Sequence, residues 1–199
     1  MRLPLLLAAA VLVQEQEPVA RFGTTVVIPD GLRGQIYHLK PNTDHLPNLH
    51  KAKPVGAIYT TTLNVPMQVF DRGFPGVTDR VEWFAIAYTG RFWVTQDGTY
   101  RFGLLSDDGS RLWIDGKRLI DNDGIHPPVE LFGKVHLAPG LHQMEVAYFQ
   151  GPRWQLALVL RVAPPGEAWR VFNVDDFKPP PGVEIPPPNV NKEEGALRM

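Results

Sequence analysis

Three segments of this chain place apolar side chains at every second position. Tyr100, Phe102 and Leu104 alternate with Thr99, Arg101 and Gly103; Met144, Val146 and Tyr148 alternate with Gln143, Glu145 and Ala147. Trp154, Leu156, Leu158, Leu160 and Val162 alternate with Gln155, Ala157, Val159 and Arg161. An extended strand points successive side chains to opposite faces, so this repeat puts one face of each segment into a core. No stretch keeps a 3.6-residue repeat over three turns, which removes helical architectures. Turn pairs punctuate the segments at Asp97-Gly98, Asp115-Gly116 and Pro139-Gly140. Asp-Gly favours two-residue hairpins, whose central residues need positive φ. The expected fold is all-β: a single antiparallel β-sandwich or barrel.

Composition narrows the classes of function. Of 199 residues, 44% are hydrophobic and 21% charged, which suits a packed domain rather than a disordered chain. A net charge of -1 leaves no basic stripe to neutralise phosphates, so nucleic acid is not an expected partner. With no Cys there is no disulfide framework, thiolate zinc site or Cys nucleophile. Met1-Arg2 followed by the apolar run Leu3 to Val13 reads as a signal peptide, too short to span a bilayer, with a hydrophobic N-terminal strand as the alternative. Residues 1–20 are thus expected to be signal and lead, and the protein to be secreted, periplasmic or at the cell surface. Residues 31–178 form the expected domain. From 179 to 199 the prolines at 179–181 and 186–188 favour an extended tail or linker, a segment a protein partner can grip.

The densest polar signal is Ser106-Asp107-Asp108-Gly109-Ser110, an acidic turn between two strands. Adjacent carboxylates at a strand end repel unless something positive lies between them. A calcium ion does this well, because it takes 6–8 oxygens, carboxylate and carbonyl alike. The same residues also make an ordinary turn in which Asp caps backbone N–H groups, and the chemistry alone leaves both readings open.

The run from Ser106 to Lys117 resembles the central signature of the protective-antigen domain family. Gly31 to Tyr37 is similar to the family's opening strand, and Phe84 to Val94, with Tyr88-Thr89-Gly90, to the strand before its hairpin. Gly98 to Phe102, Leu137 to His142, Val146 to Gly151 and Leu156 to Leu160 continue the likeness across residues 31–178. The resemblance implies an antiparallel β-sandwich in an extracellular module of the kind found in adhesins, glycosidases, toxins and signalling proteins. In its sugar-binding branch, two consecutive Asp joined by a cis peptide hold calcium, which ligates vicinal sugar hydroxyls. Asp107 and Asp108 fall on those positions. An amide from a second loop completes the shell there, and Gln150 stands where fungal adhesins commonly carry Asn. The resemblance therefore implies Ca2+ as cofactor, Asp107, Asp108 and Gln150 as metal ligands, and a carbohydrate partner met by the same residues with Arg153 and Trp154.

Other residues carry two readings each. Trp154 can stack on a sugar ring or begin the Trp154-Leu156-Leu158 core stripe, and Trp113 has the same ambiguity. Asp121, Asn122 and Asp123 form either a sugar-contacting rim or a solvated turn. The His residues at 38, 45, 50, 126, 136 and 142 include no H-E-x-x-H, and His142 is expected to tether a turn. Glu130 and Glu145 are expected to be lone, exposed acids. Three functions follow in order: a calcium-dependent lectin-like module, a structural or assembly module that calcium rigidifies, and a hydrolase or accessory domain of one. The last fits worst. Glycosidase carboxylates stand about 5–10 Å apart across a cleft, unlike neighbours in one turn, and no G-x-S-x-G elbow is present. The chain is not expected to be an enzyme.

Overall fold

A computed structural model of the protein describes residues 31–186; residues 1–30, where the signal peptide is expected, and residues 187–199 lie outside the described residues. In chain order the strands are β1 (Leu32–His38), β2 (Gly56–Thr60), β3 (Asn64–Val69), β4 (Phe84–Val94), β5 (Gly98–Asp107) and β6 (Ser110–Ile114). They continue with β7 (Lys117–Asn122), β8 (Val129–Leu137), β9 (Gly140–Gln150), β10 (Gln155–Ala163) and β11 (Arg170–Val171). One sheet runs β2-β1-β4-β9-β6-β7; the other runs β11-β10-β5-β8, with β3 also on β10. Every described pairing is antiparallel. The two sheets face one another as the alternating pattern requires.

Residues paired across an antiparallel ladder share a face, so register reads out the core. One inward row of the six-stranded sheet is Ile58, Gly34, Tyr88, Val146, Leu112 and Ile120. From the other sheet come Phe102, Leu104, Leu156, Leu158, Leu160 and Val162, all fully buried. Aromatic rings close the far end: Phe92 packs edge-on to Phe102, Phe172 and Phe177, and Phe172 stacks on Phe177 at 5.2 Å.

Only one of the three turn pairs closes a hairpin. Asp115 (φ 49°) and Gly116 (φ 75°) join Ile114 to Lys117 across β6 and β7, in the conformation Asp-Gly prefers. Asp97-Gly98 instead carries the chain from β4 in one sheet to β5 in the other, and Pro139-Gly140 carries β8 back to β9. His142 tethers this region as expected, with Nδ1 2.7 Å from Asp115 Oδ2 and Nε2 2.8 Å from the Ala138 carbonyl.

A second apolar cluster covers the outer face of the six-stranded sheet. Tyr37, Ala85, Ala87, Ala147 and Phe149 are buried there beneath Leu46 and Leu49 of the loop after β1. The small alanines leave room for that loop, and Asp123 Oδ1 fastens it by accepting from Leu46 N at 2.8 Å.

The last core side chain is Phe177; beyond it the described residues lie largely exposed. Deleting residues 183–199 is expected to lower the melting temperature by no more than about 2 °C, since an extended proline segment buries little apolar surface. Calorimetry of the truncated chain checks this, and a larger loss would mean that the tail docks on the sandwich.

Candidate functional site

β5 ends at Asp107 and β6 begins at Ser110, so Asp107-Asp108-Gly109 is the crossover from one sheet to the other. The peptide between Asp107 and Asp108 is cis. Gly109 leaves no room for a side chain: a Cβ there would run into the Phe149 ring and come within 2.8 Å of Gly124 N. The Gly109 carbonyl accepts from Phe149 N at 2.9 Å, which fixes the turn to β9.

Both carboxylates are buried, Asp107 at 6% exposure and Asp108 at 3%. A polar cluster backs them. Ser106 Oγ and Ser110 Oγ lie 2.7 Å apart, and Asn122 Nδ2 donates to Ser106 Oγ and to the Val129 carbonyl. Tyr148 OH stands 2.8 Å from the Asp107 carbonyl and 2.7 Å from Gln150 Oε1. Asp108 Oδ2 accepts from Gly151 N at 2.7 Å, tying the crossover to the β9–β10 loop.

Burial, reinforced by the charge of Asp108 and opposed by His126, pushes the Asp107 carboxyl up to about 7. Asp108 is also raised by burial, against the pull of backbone N–H groups from Gly151 and His126 and of the His126 side chain. Among the described residues neither carboxylate has a Lys or Arg partner. Two desolvated, adjacent carboxylates with hard oxygens and so little compensation suit a divalent cation. Among the described residues no three His, Cys, Asp or Glu side chains converge. A cation here would take its other oxygens from carbonyls, water or a ligand.

Gln150 comes to the carboxylates, fully buried. Its Nε2 faces three oxygens: Gln155 O at 3.1 Å, Pro152 O at 3.3 Å and Asp108 Oδ2 at 3.5 Å. That surrounding orients the amide, so Oε1 is turned toward Tyr148. As placed, Gln150 is a donor beside Asp108, and ligation through Oε1 would require the amide to turn over.

Trp154 does not join the core. It is 82% exposed with φ 128°, β10 begins one residue later, and the buried stripe starts at Leu156. A side chain that large, held in solvent by a backbone conformation L-residues rarely adopt, is a feature of functional loops. Ile125, 47% exposed, lies beside Gly151 in the facing loop. Arg153 reaches Glu82 at 3.5 Å and lies over the Phe70 ring.

Several expected candidates serve the fold instead. Trp113 packs against the outer cluster. Asp121 and Asp123 hold Arg111, and Asn122 is buried in the serine cluster, so this stretch is neither a solvated turn nor a free rim. Glu130 is paired with Arg161, and Glu145 is half-buried, so neither is the lone exposed acid expected. His45 pairs with exposed Asp44, and the side chain of His50 lies outside the described ones. Sequence patterns did not single out His126 and Tyr148 as site groups. Tyr148 sits in an alternating core stripe, and nothing local reveals that its hydroxyl reaches the acidic turn.

The family model for the PA14 domain matches residues 30–175. The chain belongs to the PA14 domain family. Solved structures agree with the fold. A PA14 sugar-binding domain from an RTX adhesin aligns with TM-score 0.60 at 20% identity, over 73% of this chain and 96% of that one. The adhesin Epa9A domain from Candida glabrata, solved with Galβ1-3GlcNAc, aligns with TM-score 0.52 at 11% identity, over 74% and 87%. An anti-sigma factor domain-containing protein from Clostridium clariflavum aligns with TM-score 0.60 at 20% identity over 78% of this PA14 chain. This chain spans about half the length of that protein, covering 49% of it. No curated protein matches the sequence.

Proposed function

We propose that this PA14 domain is a calcium-dependent carbohydrate-binding module of an exported or surface protein, not an enzyme. The observation that carries the reading is the buried pair Asp107 and Asp108, uncompensated by Lys or Arg among the described residues and tied through Gly151 N to the loop that carries the exposed Trp154. Asp107 and Asp108 would hold the ion. When bound, calcium supplies coordination positions that vicinal sugar hydroxyls fill in place of water. Trp154 offers an apolar face to the ring's C–H groups, and Gln150 keeps Asp108 in place. Among the described residues no helix is long and apolar enough to cross a membrane. The RTX adhesin likeness is compatible with a surface location.

A structural role for calcium has its own support. Asp108 bridges the β5–β6 crossover to Gly151 in the β9–β10 loop, so a cation there would lock two loops together without any sugar. A glycan array probed in calcium and in chelator separates the readings. Calcium-dependent binding is expected, weakened about 5- to 10-fold in Trp154→Ala, since stacking of this kind contributes on the order of 1 kcal/mol. The melting temperature of that variant should stay unchanged because the ring is exposed. An array silent in calcium, with a calcium-dependent melting temperature, would select the structural role.

A further inference from the structure

Exposed apolar side chains gather at one end of the sandwich. Of the nine large ones exposed among the described residues, five border the end that carries Asp107 and Asp108: Met67, Val69, Ile125, Val129 and Trp154. Register fixes their places. Along the end of the five-stranded sheet Val69 pairs with Gln155, the neighbour of Trp154; Ala157 pairs with Asp107, and Val129 with Ser106. The Trp154 carbonyl accepts from Phe70 N at 3.2 Å, which joins the tip of β3 to the β9–β10 loop. A Cβ built at Gly151 would lie 3.2 Å from Asp108 Oδ2 and 3.6 Å from Ile125 Cγ1, so Ile125 borders the carboxylate pair as well. Val69 and Trp154 thus flank the acidic crossover on one side, Ile125 and Val129 on the other.

A sugar alone accounts for only part of this rim. A pyranose offers C–H groups to one flat ring, and Trp154 meets that need. The aliphatic members come from separate segments, cannot stack on a sugar, and keep apolar area in water. Exposed apolar groups gathered in this way mark an interaction surface. A polar centre ringed by apolar side chains fits a bilayer: a headgroup enters the centre while the rim sinks toward the boundary of headgroups and acyl chains, where Trp is favoured. Charge selects the headgroup. The loops at this end, residues 70–72, 123–128 and 151–154, hold Asp71 and Asp123 against Arg72 and Arg153. Arg153 lies 3.5 Å from Glu82, and His126 turns both ring nitrogens to backbone carbonyls. These loops carry no basic cluster of the kind that attracts anionic lipid, so the complement is an uncharged headgroup.

We infer that this end of the domain docks on a lipid bilayer and takes its sugar from an uncharged glycolipid, with Met67, Val69, Ile125, Val129 and Trp154 entering the headgroup layer. Bilayer docking rests on the carbohydrate reading: the ion and the sugar stay at Asp107 and Asp108, and the membrane receives the rim around them.

Vesicle binding by the full chain in calcium tests it. The probe is phosphatidylcholine vesicles displaying the strongest glycan of the array on a dipalmitoylglycerol anchor. Affinity per accessible glycan is expected to exceed that for the same glycan free in solution by at least about tenfold, as burial of the exposed rim predicts. The double variant Met67→Ser, Val69→Ser should lose most of that gain. Its affinity for the free glycan and its calcium-dependent melting should match wild type, because both side chains are exposed. Phosphatidylserine vesicles without glycan should stay unbound. Equal affinity for anchored and free glycan, a gain that survives the double variant, or binding to phosphatidylserine alone would overturn bilayer docking and leave the carbohydrate reading standing. A glycan array silent in calcium would overturn both.

Discussion

In saturating calcium the protein is expected to melt about 5–10 °C higher than in chelator, and Asp107→Asn or Asp108→Asn should erase the difference. A ligand that binds only the folded state at 100 times its Kd adds about 2.7 kcal/mol, which for a domain of this size corresponds to that rise. Both carboxylates are needed because each offsets positive charge on the ion, and Asn offers only a neutral oxygen. The order reverses without metal. Burial and the neighbouring carboxylate raise Asp107 to about 7 in the fold, against 3.8 in an open chain. As pH rises from about 4 to 7, the unfolded state ionises while the folded state resists, so metal-free stability falls over that window. Asp107→Asn removes this penalty, and in chelator at pH 8 it should melt at or above wild type. Thermal melts of the three proteins, with and without calcium, decide the matter. No calcium effect in wild type would sink the metal site and the lectin reading together.

At pH 8, Glu145→Gln is expected to melt about 5 °C above wild type, and at pH 4 the two should coincide. Glu145 sits mid-strand in β9, opposite Thr89 on one side and Trp113 on the other, without a hydrogen-bond or ion-pair partner among the described residues. Burial raises its carboxyl from 4.5 to about 7. Stability from that protonated form is complete below pH about 4.5 and lost as pH climbs through 7. A tenfold change in proton affinity corresponds to about 1.4 kcal/mol, and discounting for solvent screening of a partly exposed group leaves roughly 2 kcal/mol in all. Gln keeps the shape and never ionises. Melting curves from pH 4 to 8 should therefore diverge near neutrality. Parallel curves would mean that the carboxylate has found compensation, for example from Arg33, which follows Thr89 in the same cross-strand row.

The acidic turn was legible because its chemistry is local: two neighbouring carboxylates stay together whatever the fold does. Its surroundings were not. Asp108 meets Gly151 N from 43 residues away, and Asp107 meets the Tyr148 hydroxyl across 41, so no window along the chain contains the site. Gln150 was placed by the family likeness, but the direction of its amide depends on two carbonyls in the following loop.

Alternation of side chains by itself determined the all-β class, because strand geometry sends successive residues to opposite faces in any environment. It also marked Leu156, Leu158, Leu160 and Val162 as one buried stripe. Only the tertiary structure decided where that stripe stops. Trp154 has the right parity, yet a backbone turn before β10 throws it into solvent. Only the tertiary structure decided which Asp-Gly pair makes a hairpin, since a turn's residues favour a bend without saying whether the next strand returns to the same sheet. It likewise made Glu145 half-buried and Glu130 paired, although both look alike in the sequence. Parity assigns a residue to a face; what covers that face is settled by segments far away in sequence.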